Sequence, residues 1–179
     1  DPEVYYQFAE AIRGIGDACK KFETPVTGGN VSFYNESRDF AVYPTPTIGI
    51  IGLIEDVNKV MTSNFKDEGD VILLIGEQNS NEIGGSEYLN YLHKKVTGDS
   101  PALDLDKEKA LQDCTLELID KGLIKSAHDT SEGGLSVALV ESCIMDRNDT
   151  IGCTVNKDLK NRKDFEYFGE TQSRIIITA

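Results

Sequence analysis

Apolar and polar residues along the start of the chain follow the spacing of an amphipathic helix. The apolar stripe consists of Tyr5, Phe8, Ile12, Ile15, Cys19 and Phe22. Steps of three and four residues place these side chains on one side of a helix, which we predict over 3–22. From Thr24 the pattern is extended, breaks at Gly28 and Gly29, and resumes by alternation over 31–34. This predicts either a strand, a turn and a second strand, or a strand followed by a loop.

Strand-like and helix-like patterns follow each other in the rest of the chain. The apolar run Val71–Ile75 lies between turn residues and predicts a buried strand. Ser86 is a capping residue type before a helical pattern that runs to Lys95, and a longer helical pattern over 103–121 stops at Gly122. The remaining predictions are a strand over 124–128, a helix over 135–144, a strand over 151–155, a short helix near 157–163 and a strand over 174–178.

This order of elements predicts an α/β fold. Pro44 and Pro46 interrupt the pattern and are the best candidates for a boundary. We therefore predict two segments, 1–60 with its linker and 61–179. The last residues, 174–179, resemble an unfinished strand and the first residue is not Met, so we expect an excised piece of a longer protein.

The charge of the chain narrows the classes of partner. It has 18 Lys and Arg against 31 Asp and Glu, a net charge of −13. Nucleic acids and anionic membranes repel such a chain, so we expect neither as a partner. No apolar run reaches the ~18–20 residues that span a bilayer. The 4 cysteines are widely spaced without a CxxC pair, and no leader pattern opens the chain, which favours free thiols in a reducing, cytoplasmic setting.

The segment Gly28–Ser32 is the first candidate for chemistry. Two adjacent glycines let the backbone approach a ligand and direct amides at it, while Asn30 and Ser32 add oxygen atoms. Mg²⁺ takes oxygen ligands and keeps several waters, and Glu36 and Asp39 could assist. A hairpin turn with a polar tip explains the same residues without chemistry, so both interpretations stay open.

The second candidate is the segment His128–Gly134, where a predicted strand passes into a predicted helix. Free amides and the positive end of the helix dipole at such a junction attract an anion. Asp129 is either a cation ligand that bridges to phosphate or a helix cap, and Ser131 is equally ambiguous. His128 could act as a base, but without a visible partner carboxylate a structural role is the simpler interpretation.

Two other glycine-led polar segments, 84–88 and 169–174, border predicted helices or strands. Each is either a loop at a ligand cleft or an ordinary turn. The sequence contains no Ser-His-Asp or Cys-His arrangement and no Walker-type glycine loop, which disfavours a conventional P-loop kinase.

Four motifs occur in an order that resembles one enzyme family. They are PVTGGNVSFYNE over 25–36, PTPTIG over 44–49, GGSEY over 84–88 and AHDTSEGGL over 127–135. Together they resemble the synthetase subunit, subunit II, of phosphoribosylformylglycinamidine synthases, and the resemblance runs from the first helix to 169–174. The first motif is specific to that family, whereas the glycine pair and HDxSxGGL also occur in related ATP-using synthases and kinases.

The resemblance implies an ATP-dependent carbon–nitrogen ligase of purine biosynthesis. Such a ligase converts formylglycinamide ribonucleotide to the amidine with ATP, Mg²⁺ and ammonia, which a glutaminase subunit delivers in a complex that also has a small bridging subunit. The parent would contain two N-type and two C-type domains of the aminoimidazole ribonucleotide synthase-like superfamily, with a mixed sheet flanked by helices. Residues 1–60 would end the second N-type domain, 61–179 would form most of the second C-type domain, and the piece alone would be inactive.

The motif match also implies ligand roles for six residues. Gly29 would contact ATP, Asn30 would ligate Mg²⁺ and Ser32 would contact the ribonucleotide. The residues implied at an auxiliary nucleotide and metal site are Asp129 for the metal and Ser131 and Gly133 for the nucleotide. The family's catalytic histidines and most of its Mg²⁺ carboxylates lie in the first half of the parent, so we assign no catalytic residue here.

Two alternatives remain beside this interpretation. One is another ATP-dependent enzyme of the superfamily, such as aminoimidazole ribonucleotide synthase, selenophosphate synthetase or thiamine phosphate kinase, which the GNVSFYNE stretch disfavours. The other is a structural module with degenerate nucleotide sites. Loss of adjoining domains would expose surface that normally packs, and the piece could form a homodimer through it.

Overall fold

The computed structural model describes residues 2–32, 36–40, 43–77 and 82–179. The chain divides into two compact units, Asp1–Leu53 and Ile54–Ala179, and each is described by itself. No helix among the described residues is long and apolar enough to cross a membrane.

The first unit contains one long helix, α1, Pro2–Phe22. This confirms the helix predicted over 3–22. Glu3 in its first turn and Lys20 and Lys21 in its last turn complement the helix dipole. No residue of α1 is fully buried, and its apolar stripe is only partly covered, at Phe8, Ile15, Cys19 and Phe22.

The strand-turn-strand predicted after α1 is wrong for the described residues. Residues 24–32 form no helix or strand, and the predicted continuation through Phe33 and Tyr34 lies outside the described part of the chain. A strand depends on a neighbouring strand for its backbone hydrogen bonds, and the described elements of this unit include none.

The second unit carries three strands and four α-helices among its described residues, preceded by a short 3₁₀ turn, Val57–Lys59. The elements are β1 Ile72–Gly76, α2 Glu87–His93, α3 Leu105–Asp120, β2 Ser126–Asp129, α4 Gly134–Ile144, α5 Lys163–Phe168 and β3 Arg174–Thr178. The predicted α/β class is confirmed. Ser86 caps α2 by accepting the Leu89 amide, as its residue type indicated.

Two predictions in the last third of the chain are wrong. Residues 151–155 are irregular because none of the described strands lies beside them; the Ile151 amide instead donates to the Cys143 carbonyl at the end of α4, at 3.2 Å. The short helix begins at Lys163 rather than near 157. The Glu166 carboxylate accepts the Asn161 amide at 3.2 Å and holds the preceding residues in a turn.

The sheet has the order β1-β3-β2, and β3 is antiparallel to both neighbours. The mixed sheet expected from the family resemblance is therefore wrong for the described strands. After β1 the chain returns through α2 and α3, so that β2 runs in the same direction as β1. β3 lies between these two strands and runs in the opposite direction, and it therefore forms an antiparallel ladder with each of them. β1 lies at an edge and is only half buried, unlike the fully buried strand predicted.

The core lies between this sheet and α4. Its buried members are Phe65, Leu135, Ala138, Leu139 and Ile176, and partly buried side chains including Ile72, Leu74 and Ile151 pack against them. Ile176 and the next residue, Ile177, are both buried. Because successive side chains of a strand point to opposite faces, both faces of the central strand are covered.

A buried pair of hydroxyls links β2 to β3. The Ser126 and Thr178 oxygens lie 2.6 Å apart, the two residues are partners in the ladder, and their exposures are 1% and 0%. Each hydroxyl satisfies the other in a place that water does not reach.

We predict a coupling energy between these two hydroxyls. Thr178→Val or Ser126→Ala alone should lower the free energy of unfolding by about 1–3 kcal/mol, because each leaves a buried hydroxyl without its partner. The double variant should cost less than the sum of the single ones. Urea denaturation of the four proteins measures this, with Thr154→Val as an exposed control; additive losses would contradict the prediction.

A second buried polar group, Glu166 of α5, is held by three donors. Its carboxylate accepts bonds from Lys157 Nζ and from the backbone and side-chain nitrogens of Asn161. The Lys157 hydrogen bond is the main cause that holds the pKa of Glu166 below its ordinary value, and burial opposes it. The folded state therefore favours the charged carboxylate.

We predict that Glu166 contributes to acid sensitivity. A carboxyl whose pKa is lower in the folded than in the unfolded state stabilises the fold above its unfolded value, near 4.5, and this contribution is lost as the pH falls through the folded value. Glu166→Gln should flatten the loss of stability in acid, measured by urea denaturation across acidic pH. The exposed control Glu132→Gln should keep the slope of the unmodified chain; an equal slope in both variants would refute the assignment.

Candidate functional site

The segment Gly28–Ser32 of the first unit is irregular and exposed. A Cβ placed on Gly28 or Gly29 would meet no described atom within 4 Å. The unit therefore does not itself require glycine there, and it leaves the polar side chain of Asn30 on an exposed stretch of chain. The ligand roles predicted for Gly29, Asn30 and Ser32 stay predictions.

The second predicted segment lies at the junction of β2 and α4, as the strand-to-helix pattern indicated. Asp129 ends β2 with 74% of its side chain exposed. The Ser131 hydroxyl donates to the Asp129 carboxylate at 2.7 Å, and the Thr130 amide donates to the Arg174 carbonyl at 3.0 Å, which fixes the turn on β3. A carboxylate and a hydroxyl thus lie side by side at the surface, and both are oxygen ligands of the kind that Mg²⁺ accepts.

The glycine pair of this turn is a steric requirement. Gly133 and Gly134 have φ values of +77° and +65°, which side-chain-bearing residues rarely adopt. A Cβ on Gly133 would lie 2.3 Å from Val137 Cγ2, and one on Gly134 would lie 2.5 Å from the Gly169 carbonyl oxygen. The fold alone therefore explains these two glycines, before any ligand is considered.

The anion at the start of α4 is supplied by the chain itself. The Glu170 Oε1 atom accepts the Gly133 amide at 2.8 Å and the Glu87 amide, at the first residue of α2, at 2.9 Å. Negative charge is stabilised at a helix N-terminus by the dipole and the unpaired amides. Glu170 thus uses the Gly133 amide that the sequence pattern offered to a phosphate, and a ligand phosphate there would have to displace it.

A buried arginine holds Glu170 in place. Arg174 is 3% exposed and donates through Nε to the Thr171 carbonyl at 3.0 Å and through Nη2 to the Gly169 carbonyl at 2.6 Å. Burial lowers the pKa of Arg174, and the charges of Glu82 and Glu166 oppose that shift. Residues 169–174 therefore form a turn that Arg174 fixes from inside and that contacts the starts of α2 and α4 through Glu170. We call it the braced turn. Its composition alone indicated only a polar loop.

His128 has the carboxylate partner that its local sequence did not show. Its Nε2 atom lies 2.9 Å from Glu141 Oε2 of α4, and its Nδ1 atom lies 3.6 Å from Asp129 Oδ1. The imidazole is half buried and joins β2 to α4, which agrees with a structural role. Glu141 is 13 residues away, and only the packing of the helix on the sheet brings it near.

Within the described part of the chain, the predicted residues do not join a cluster of metal-ligating side chains. Among the described residues, no group of three or more His, Cys, Asp or Glu side chains is placed to hold a metal ion. A shallow concavity of about 350 Å³ lies between the start of α3 and residues 171–173, bordered by the Glu77–Lys107 ion pair. None of the six predicted ligand residues lines it.

We predict that Glu170 is more important for stability than its half-exposed surface position suggests. Glu170→Ala leaves the Gly133 amide at the N-cap of α4 and the Glu87 amide of α2 without their acceptor and should lower the free energy of unfolding by about 1–3 kcal/mol. Glu170→Gln keeps an acceptor oxygen and should recover part of that loss. Urea denaturation tests this, with Glu132→Ala, an exposed residue of the turn before α4, as a control; equal stability of the two alanine variants would exclude the capping role.

Comparison with known proteins agrees with the motif resemblance. Two curated relatives are both phosphoribosylformylglycinamidine synthase subunits PurL. The subunit of Symbiobacterium thermophilum is 51% identical over 99% of this chain and 23% of the relative. The subunit of Caldanaerobacter subterraneus is 52% identical over 98% of this chain and 24% of the relative. The chain thus spans about a quarter of the length of these relatives.

A solved structure and two domain families complete the comparison. The structure of Thermotoga maritima PurL complexed with FGAR has a TM-score of 0.51, with 18% identity over 69% of this chain and 22% of that chain; this supports the fold alone. The model of the AIR synthase related protein, N-terminal domain, matches residues 1–54, and that of the C-terminal domain matches residues 67–174. Because the second match alone covers more than half of its residues, the chain belongs to the AIR synthase related protein family.

Proposed function

We propose that this chain is a segment of the synthetase subunit of a phosphoribosylformylglycinamidine synthase. One observation carries the proposal: the chain is about half identical, over nearly all its length, to curated subunits of that name. The intact subunit would convert formylglycinamide ribonucleotide to the amidine with ATP and ammonia in purine biosynthesis. The chain is a quarter of such a subunit, so we expect no turnover from it alone.

The reaction class fits the residue types of the candidate segments. ATP phosphorylates the amide oxygen of the substrate. Ammonia then adds to the amide carbon that bears this oxygen, and the oxygen leaves as part of inorganic phosphate. Little covalent chemistry falls to the protein, because positioning and charge stabilisation dominate phosphoryl transfer. The exposed oxygen ligands and the glycine-containing turns of the two candidate segments are suited to positioning a phosphate and its metal ion.

The metal role that we propose for Asp129 is supported by the chemistry of its surroundings. Its carboxylate is exposed and bonded to the Ser131 hydroxyl, and both groups are hard oxygen donors suited to Mg²⁺. We propose that Asp129 would ligate Mg²⁺ and that Ser131 would contact the nucleotide it accompanies. Gly133 could bind that nucleotide through its amide only after Glu170 releases it.

For the first unit we propose the roles that the motif match implies. Gly29 would contact ATP, Asn30 would ligate Mg²⁺ and Ser32 would contact the ribonucleotide. The open space around Gly29 supports close approach of a ligand to the backbone. The boundary between the N-type and C-type segments, at 60 and 61, stays part of the proposal.

We further propose that the intact subunit works in the cytoplasm with a glutaminase subunit and a small bridging subunit. The net charge of −13 disfavours nucleic acid and anionic membranes as partners. Exposed apolar side chains of the first unit, such as Ile51 and Leu53, support the proposal that the isolated chain forms a homodimer.

The proposal predicts the behaviour of two ligand variants in the intact subunit. With ammonia replacing the glutaminase, Asn30→Ala should lower ATP-dependent amidine formation about 10–100-fold, a range typical for disturbed metal sites. Asp129→Ala should weaken Mg²⁺–ADP binding at the auxiliary site, measured by calorimetry. Asp149→Ala, an exposed carboxylate outside both segments, should change neither quantity.

Three outcomes separate this proposal from its alternatives. ADP formation that requires both formylglycinamide ribonucleotide and ammonia supports the synthase. ADP formation with another phosphoryl acceptor instead would favour a different enzyme of the superfamily. Unchanged Mg²⁺–ADP binding in Asp129→Ala would favour a structural module with a degenerate second site.

A further inference from the structure

Two of the four cysteines come together at the C-terminal end of α4, and the proposed function uses neither. Cys143 belongs to the last turn of α4, and Cys153 follows in the irregular segment 151–155. Both thiols are free and partly buried. The other two, Cys19 and Cys114, lie on α1 and α3.

The backbone brings the two residues into register. The Ile151 amide donates to the Cys143 carbonyl at 3.2 Å, which fixes the returning segment against the end of the helix. Ile151 and Cys153 both pack against the core cluster of Leu135, Leu139 and Ile176, and Cys143 packs against the same cluster from α4.

The side chains are neighbours as well as the backbones. Burial, together with a hydrogen bond to the Cys153 thiol, raises the pKa of Cys143 to about 11. Cys143 is therefore protonated at neutral pH, which makes it a poor nucleophile for the first attack on an external disulfide. It packs against the same core cluster as Cys153 and is therefore the thiol available to act second, on a sulfur bond formed at Cys153.

We propose that Cys143 and Cys153 form a reversible intrachain disulfide by exchange with a small-molecule disulfide such as oxidised glutathione. The Cys153 thiolate attacks one sulfur of glutathione disulfide and releases one glutathione thiolate, which takes up a proton. Cys143 then loses its proton to solvent and attacks the Cys153 sulfur, so that the second glutathione leaves. The protein loses two electrons and two protons, and one glutathione disulfide becomes two glutathione thiols.

The bond would close the loop 143–153 and tie the end of α4 to the segment that covers its core. This loop carries the exposed polar residues Arg147, Asn148 and Asp149 and has no regular structure of its own. Oxidation would therefore restrain a part of the chain that the reduced protein holds by side-chain packing and by the hydrogen bond from the Ile151 amide to the Cys143 carbonyl. The proposal is independent of the nucleotide roles assigned to the starts of the same helix.

The test uses the whole 179-residue chain in a Cys19→Ser, Cys114→Ser background, which leaves only the proposed pair. The protein is equilibrated in glutathione buffers of graded ratio, quenched with acid and weighed intact by mass spectrometry. The expected product is lighter by two hydrogen atoms and carries no glutathione. Digestion should give one cross-linked peptide that contains both residues, and a reducing phosphine should restore the starting mass.

Two further samples decide between a built pair and ordinary thiol reactivity. In that background, Cys143→Ser should convert the product to a stable glutathione adduct on Cys153, because the resolving thiol is gone. Peptide mapping of the unmodified chain should show the same cross-link, which guards against a folding defect in the serine background. The proposal is overturned if both cysteines carry separate glutathione adducts. It is equally overturned if both stay reduced in a buffer that fully modifies the exposed Cys114 of the unmodified chain.

Discussion

A single carboxylate oxygen, Glu170 Oε1, accepts amides at the starts of two helices and ties both of them to the turn before the central strand. The Gly133 amide lies at the N-cap of α4, and the Glu87 amide is the first of α2. Arg174 holds the carbonyls on both sides of Glu170, and Arg174 itself begins the central strand of the sheet. These hydrogen bonds connect the central strand, the braced turn 169–174 and the starts of α2 and α4 in one polar network. A buried member that loses its partner is left with an unsatisfied polar group, which is costly.

This network gives a structural explanation for the glycine-rich junction between β2 and α4, where the sequence had indicated an anion site. The turn that carries Asp129 and Ser131 has the geometry of an anion site, yet its amide is satisfied by the protein. Backbone conformation and steric contacts explain Gly133 and Gly134. What the fold does not explain is the exposed carboxylate of Asp129, which no buried contact requires. Asp129 and Ser131 are thus the residues of this junction for which the proposed ligand role is not already replaced by a structural explanation.

The chain belongs to the family but spans only about a quarter of the length of its curated relatives. Its first unit presents a helix with no fully buried residue. An amphipathic helix gains its stability mainly from packing of its apolar stripe, so α1 has only part of that contribution within its own unit. The second unit, in contrast, has its own core around α4 and β3. Binding by both candidate segments is accordingly a property to seek in the intact subunit.

Residue patterns along the chain were sufficient to predict the elements whose signals are local. The stripe from Tyr5 to Phe22 predicted α1, Ser86 predicted the start of α2, and the apolar run at the end predicted β3, because each depends on residues a few positions apart. Four other features followed from the packing of distant parts of the chain: the antiparallel order of the sheet, the irregular segment 151–155, the Glu141 partner of His128 and the contacts of Glu170. These depend on groups that are distant along the chain, and no local pattern of residue types records which distant carboxylate will reach a given amide.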